Sequence, residues 1–144
     1  MMLERLFSMG GMLVLPCWVL LAVAPRWRWT QRLATFVVPL LIAGVYAWLL
    51  LAHPVPKGGG FGSLAQVAVL FGSPYALLAG WIHYLAFDLF TGAWEARDAA
   101  RLGLSQWLVL PCLVLTFLVG PLGLALYLLL KLALRRSVGA EVIA

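Results

Sequence analysis

Residues Leu33-Ala-Thr-Phe-Val-Val-Pro-Leu-Leu-Ile-Ala-Gly-Val-Tyr-Ala-Trp-Leu-Leu-Leu-Ala52 run for twenty positions without a charged side chain. Wound as an α-helix, such a run is about 30 Å long, the thickness of the hydrocarbon core of a bilayer. A second stretch of the same kind, Leu6 to Ala24, lies just before it. Between them stands Pro25-Arg-Trp-Arg-Trp-Thr-Gln-Arg32, where arginine and tryptophan alternate. That mixture suits the headgroup layer, because an indole buries its ring while its polar edge stays wet. Two helices joined by an interfacial turn follow from these residues alone.

Composition extends this reading to the whole chain. Of 144 residues, 65% are hydrophobic and 10% are charged. Soluble domains are roughly half apolar and a quarter charged, so lipid must act as solvent for much of this surface. The net charge of +5 comes from basic residues beside apolar segments. This placement fits lipid headgroups, and it lacks the basic and aromatic spacing of a nucleic-acid reader. Cys17 and Cys112 both lie in apolar runs, with no CxxC or Cys/His zinc spacing.

Further along, His53-Pro-Val-Pro-Lys-Gly-Gly-Gly-Phe-Gly62 cannot hold a helix and must be a loop. The apolar stretch from Ser63 to Phe90 is too long for one untilted span, and Gly72-Ser73-Pro74 should divide it. Leu64 to Phe71 then forms a short separate or re-entrant piece, and the main helix runs from about Tyr75 to Trp94. A last span follows from Trp107 to about Leu134, interrupted at Gly120-Pro121 and closed by Lys131, Arg135 and Arg136. The expected fold is all-α: one polytopic membrane domain over residues 1–136, with about four proline-kinked transmembrane helices near 6–24, 33–52, 74–94 and 107–134. Residues 137–144 should form a disordered tail.

Four crossings place Arg5, Lys57, Lys131, Arg135 and Arg136 on one side and Arg26, Arg28, Arg32, Arg97 and Arg101 on the other. Equal counts leave the positive-inside rule without a preference. The first hairpin favours a cytoplasmic Arg26–Arg32 loop, which puts both termini outside. Prolines 16, 39, 74, 111 and 121 release the carbonyls of Met12, Thr35, Leu70, Trp107 and Phe117, which need other partners in lipid.

Chemistry, if present, belongs to the third long helix. Tyr84, Asp88, Thr91 and Glu95 are spaced four, three and four apart, on one helical face that Trp81 and Asp98 extend. An ionisable group such as Asp88 among Leu85, Ala86, Phe87, Leu89 and Phe90 needs a partner, a cavity or a substrate. It is a candidate proton donor. The plainer alternative is a structural pairing with Arg32, Arg97 or Arg101. His83 points about 100° away from Tyr84, toward Phe87 and Phe90. His53 and His83 lie too far apart in depth to ligate one haem. Asp88 and Glu95, about 10 Å apart along the helix, cannot share a metal ion unaided. No cofactor or metal is expected.

The run His83-Tyr-Leu-Ala-Phe-Asp-Leu-Phe-Thr-Gly-Ala-Trp-Glu-Ala-Arg-Asp98 resembles the signature of the ABA-deficient-four-like membrane proteins, as does Leu110-Pro-Cys-Leu-Val-Leu-Thr-Phe-Leu-Val-Gly-Pro-Leu-Gly-Leu124. The similarity extends from about Met12 to Lys131. The plant member is associated with neoxanthin synthesis, which turns a 5,6-epoxy carotenoid into an allene bearing a tertiary alcohol. This implies an isomerase needing an acid at the epoxide oxygen, a base at C7 and no redox cofactor. Asp88 with Tyr84 nearby fits the acid, and His83 the base. The chain's length and lack of a transit segment point to a bacterial inner membrane, where the substrate would be another carotenoid or isoprenoid lipid. The second class of function is a non-catalytic subunit that holds a membrane-protein partner or a second copy of itself through small residues such as Gly44, Gly120 and Gly123.

Overall fold

The computed structural model describes residues 1–134. Arg135, Arg136 and the tail expected to be disordered lie outside the described residues. All regular structure among the described residues is helical: α1 (Met2–Val23), α2 (Arg28–Arg32), a π-helical turn (Leu33–Val37), α3 (Val38–Ala52), α4 (Leu64–Phe71), α5 (Pro74–Arg101), α6 (Gln106–Val119) and α7 (Pro121–Ala133). Three continuous stretches, α1, α2 to α3, and α5, are long and apolar enough to cross a membrane.

Local chemistry accounts for the boundaries. Residues preceding a proline are pushed out of the helical region, and α1 stops at Ala24 (φ −138°, ψ 54°) before Pro25. In the same way α3 stops at His53 (φ −129°, ψ 114°) before Pro54. The Nε2 of Gln106 donates to the carbonyls of Leu21 (3.1 Å) and Ala22 (3.2 Å), satisfying the end of α1 and tying it to the start of α6. Pro39 cannot donate, and the chain accommodates this with the π turn, in which the Val38 amide bonds to Leu33. The Ser63 hydroxyl accepts from the Gln66 amide at 3.2 Å, and the Gln66 side chain reaches back to the Gly62 amide at 3.0 Å. This reciprocal cap starts α4. Pro74 occupies the first turn of α5, where a missing donor costs nothing.

Helix α5 is the central element and packs against α1, α3, α4, α6 and α7. Its pairings fix the directions of its neighbours. Tyr75 stacks on His53 at 3.6 Å, and Arg97 reaches Thr35, so α3 runs antiparallel to α5. Phe7 packs on Trp81, while Trp18 packs beside Gly92, so α1 runs parallel to it.

The stretch expected as a fourth span over 107–134 is not one continuous helix. Gly120 (φ 18°, ψ −82°) turns the chain sharply, and α6 and α7 fold back on each other. Thr116 of α6 bonds to Glu95, while Tyr127 and Lys131 of α7 both bond to Asp98, one turn further along the same helix. Helix α7 therefore returns in the direction from which α6 came. The arms of 14 and 13 residues measure about 20 Å each, short of a hydrocarbon core of about 30 Å. Lys131 therefore lies at the end of the bundle opposite Met1, and the C-terminus of the shared-side expectation lies outside the described residues. An unbroken apolar run conceals the turn, which depends on close contact at two glycines. A side chain at Gly123 would collide with the Thr116 backbone, and one at Gly120 would meet the Asp88 carboxylate at 2.5 Å.

Candidate functional site: a polar seam on the central helix

The α6–α7 hairpin lies along the face of α5 that carries the acidic residues. At its inner end Asp98 accepts from the Tyr127 hydroxyl at 2.6 Å and from the Lys131 ammonium at 2.9 Å. All three side chains are buried. Trp94 closes this cluster, with Tyr127 edge-on at 5.5 Å and the Lys131 ammonium 5.9 Å from its ring centre. Lysine inside such a bundle needs a carboxylate, because an uncompensated charge there is costly. Lys131 is therefore a bundle residue, and the expectation that it closes a span at the interface is corrected.

One turn back along α5, Glu95 is fully buried, and the Thr116 hydroxyl lies 2.9 Å and 3.1 Å from its two oxygens. A single hydroxyl has one proton to donate, so one carboxyl oxygen is served at a time. Thr91, between Asp88 and Glu95 in the stripe, turns its hydroxyl back to the carbonyl of Phe87 at 2.8 Å. It joins neither carboxylate.

Asp88 is half-buried, next to the hairpin turn at Gly120. Its Oδ2 is buried and has no hydrogen-bond partner. Of the arginines weighed as partners, Arg97 donates to Thr35 at 3.3 Å and Arg32 lies over the Trp29 ring. Tyr84 neighbours Asp88, one turn away, and donates its hydroxyl hydrogen to the carbonyl of Phe117 at 3.3 Å. That carbonyl is one of those released by a proline, here Pro121, so the tyrosine satisfies a group the helix cannot.

Beside Tyr84 a groove of about 680 Å³ opens between α1, α4 and the first half of α5. Its walls are aromatic and aliphatic, including Phe7, Phe71, Trp81 and Leu77, and Glu4 stands among them near the start of α1. Tyr84 forms part of the groove wall and Asp88 lies one turn deeper along α5.

His83 is not part of this arrangement. It is exposed on another face of α5, with Tyr46 at 5.8 Å and Phe87 stacked at 4.5 Å. The candidate triplet thus separates: Tyr84 and Asp88 come together, while His83 faces away, as the 100° rotation between adjacent helical residues dictates. Sequence reasoning does not single out Thr116, Tyr127, Gly120 or Gly123 as site residues. The signals for them are the Gly120-Pro121 interruption, the Leu110–Leu124 run that contains Thr116, Gly120 and Gly123, and, for Thr116 and Tyr127, a polar atom in an otherwise apolar helix.

Comparison with known proteins bears on the family. The family described as ABA DEFICIENT 4-like matches residues 5–127, most of the chain. The chain is 31% identical over 104 residues to the protein ABA DEFICIENT 4, chloroplastic, of Arabidopsis thaliana, covering 66% of this chain and 47% of the relative. The chain therefore spans about half the length of that relative. No solved structure matches. The apolar helices are those of a membrane-associated protein, whereas the bacterial inner membrane expected above gains no support from a chloroplast relative.

Proposed function

The chain belongs to the ABA DEFICIENT 4-like family, and from that membership we propose that it binds a carotenoid or a similar long isoprenoid and isomerises its end ring. The observation carrying this reading is the apolar groove whose wall includes Tyr84, with Asp88 one turn further along α5. A rigid polyene needs a long wall of aromatic and aliphatic contacts with few polar atoms. The groove has such a wall, and the Oδ2 of Asp88, one turn from Tyr84, has no hydrogen-bond partner in the protein.

The chemistry needs two proton transfers and no redox step. Asp88 gives its proton to the epoxide oxygen as the C6–O bond breaks, leaving the hydroxyl on C5. Loss of the C7 proton then closes the C6=C7 bond beside the existing C7=C8 bond and forms the allene. With His83 on another face, the base is the Asp88 carboxylate produced by the first transfer. It takes up the C7 proton and returns to its starting state, so substrate and product are isomers. Tyr84 is a positioning residue, holding the turn of the hairpin against α5 through the Phe117 carbonyl.

The scaffold alternative loses two of the small residues invoked for it. Gly120 and Gly123 are occupied by internal contacts, whereas an added methyl at Gly44 would meet nothing within 4 Å. Expressing wild type and Asp88→Asn in a strain that accumulates epoxy-carotenoids, followed by pigment chromatography, tests the proposal. The expected result is a new allenic pigment with wild type and a loss of about 100-fold or more with the variant, on the order expected for general acid catalysis. An unchanged pigment profile with wild type removes the isomerase reading. Normal product from Asp88→Asn removes the assigned acid.

A further inference from the structure

At the other end of the bundle, a second cavity of about 460 Å³ lies where the turn after α1 meets the turn before α6. Val23, Ala24 and Leu104 make its apolar part, and Arg26, Trp27 and Trp107 stand around it. Trp27 and Trp107 are exposed, and Arg26 lies at the surface beside them. The two other arginines of this turn are engaged with an indole: Arg28 and Arg32 lie 5.8 Å and 5.2 Å from the Trp29 ring centre. Arg26 is not placed over a ring, and none of the four described carboxylates forms an ion pair with it. Asp88, Glu95 and Asp98 face the hairpin, and Glu4 is at the opposite end of α1.

We propose that this cavity is a binding site for an anionic phospholipid, with the phosphate at Arg26 and the glycerol and upper acyl region between Trp27 and Trp107. Three features select that ligand. A guanidinium forks onto phosphate oxygens in a bidentate pair. Indoles favour the depth of the headgroup and glycerol. The apolar floor accepts the first methylenes of an acyl chain, which a free phosphate ion does not have. The site is separate from the groove of the proposed isomerase and does not depend on that reading.

The test uses the full chain purified in a neutral detergent and titrated with phosphatidylglycerol or phosphatidylcholine, with thermal stability as the readout. The expected result is saturable stabilisation by phosphatidylglycerol that phosphatidylcholine does not reproduce. Arg26→Gln should weaken the apparent affinity about fivefold, the effect of one basic residue at a lipid surface. Arg32→Gln, on the same turn but outside the cavity, should leave it unchanged. Stabilisation by inorganic phosphate alone would point to a simple anion site and overturn the proposal. Equal responses to the two lipids, or equal losses in the two arginine variants, would show a diffuse basic surface and overturn it as well.

Discussion

Replacing Lys131 with methionine isolates the strongest polar contact in the bundle. The Lys131–Asp98 pair is 2.9 Å apart, and its side chains are 7% and 5% exposed. Water cannot enter to stabilise whichever charge is left behind. Removing one member of a buried ion pair costs about 3–5 kcal/mol, because the remaining ion keeps its desolvation penalty. Lys131→Met should therefore destabilise the protein by about that amount. The double variant Asp98→Asn/Lys131→Met has no ion to strand, and the asparagine carbonyl can still accept from Tyr127. Replacing a buried pair with neutral groups is commonly close to neutral, so the double variant should lie within about 1 kcal/mol of wild type. The resulting coupling is at least about 2 kcal/mol, well above the error of a double-mutant cycle. Denaturation in mixed micelles, followed by tryptophan fluorescence, measures all four corners. A loss below about 1 kcal/mol for Lys131→Met, or a double variant no better than that single, would refute the pairing of α7 with α5.

Two glycines make an internally controlled pair of substitutions. Gly123→Ala places a methyl group into the Thr116 backbone and should destabilise by about 1–3 kcal/mol or more, whereas Gly44→Ala meets open space and should be neutral; comparing their melting temperatures checks this. Thr116→Val keeps the shape of the side chain but removes the hydroxyl beside the fully buried Glu95. A loss of about 1–3 kcal/mol in the same unfolding assay is expected, and Glu95→Gln in that background should change stability less than it does in wild type.

How far the sequence foretells this molecule depends on the range of each interaction. The acidic stripe is legible because it repeats with the helical period: Asp88 and Glu95 both turn toward α6 and α7. The released carbonyl of Phe117 is legible from Pro121 alone, although nothing local identifies Tyr84 as its donor. The start of α2 at Arg28 is hidden because Trp27-Arg-Trp29 suits an interface whether it is coiled or helical. The fold-back is hidden for a different reason. Counting apolar residues treats α6 and α7 as one run of sufficient length, since both arms are leucine-rich on every side. What separates them is a close approach of Gly123 to Thr116, a contact between arms that hydropathy does not record. Lys131 is misplaced as a direct result, because its position follows from the number of crossings counted before it.

The hairpin changes the parity of the chain. With the three long stretches read as crossings and the hairpin as a loop that enters and leaves by one leaflet, the topology is odd. Among the described residues, Arg26, Arg28, Arg32, Arg97 and Arg101 then gather at one end of the bundle, against Arg5 and Lys57 at the other, while Lys131 is neutralised inside by Asp98. Five against two among the described residues is an imbalance that the even count over the whole chain did not have. The positive-inside rule now places the arginine-rich face on the side from which the chain is inserted. The 680 Å³ groove, bounded by the beginnings of α1 and α5, then faces the far leaflet. A hydrophobic ligand would reach Tyr84 laterally from that leaflet, without passing the arginines. Reporter fusions in the loop at Lys57 and in the turn at Arg28 should locate these on the trans and cis sides respectively, and the opposite assignment would reverse the direction of ligand entry.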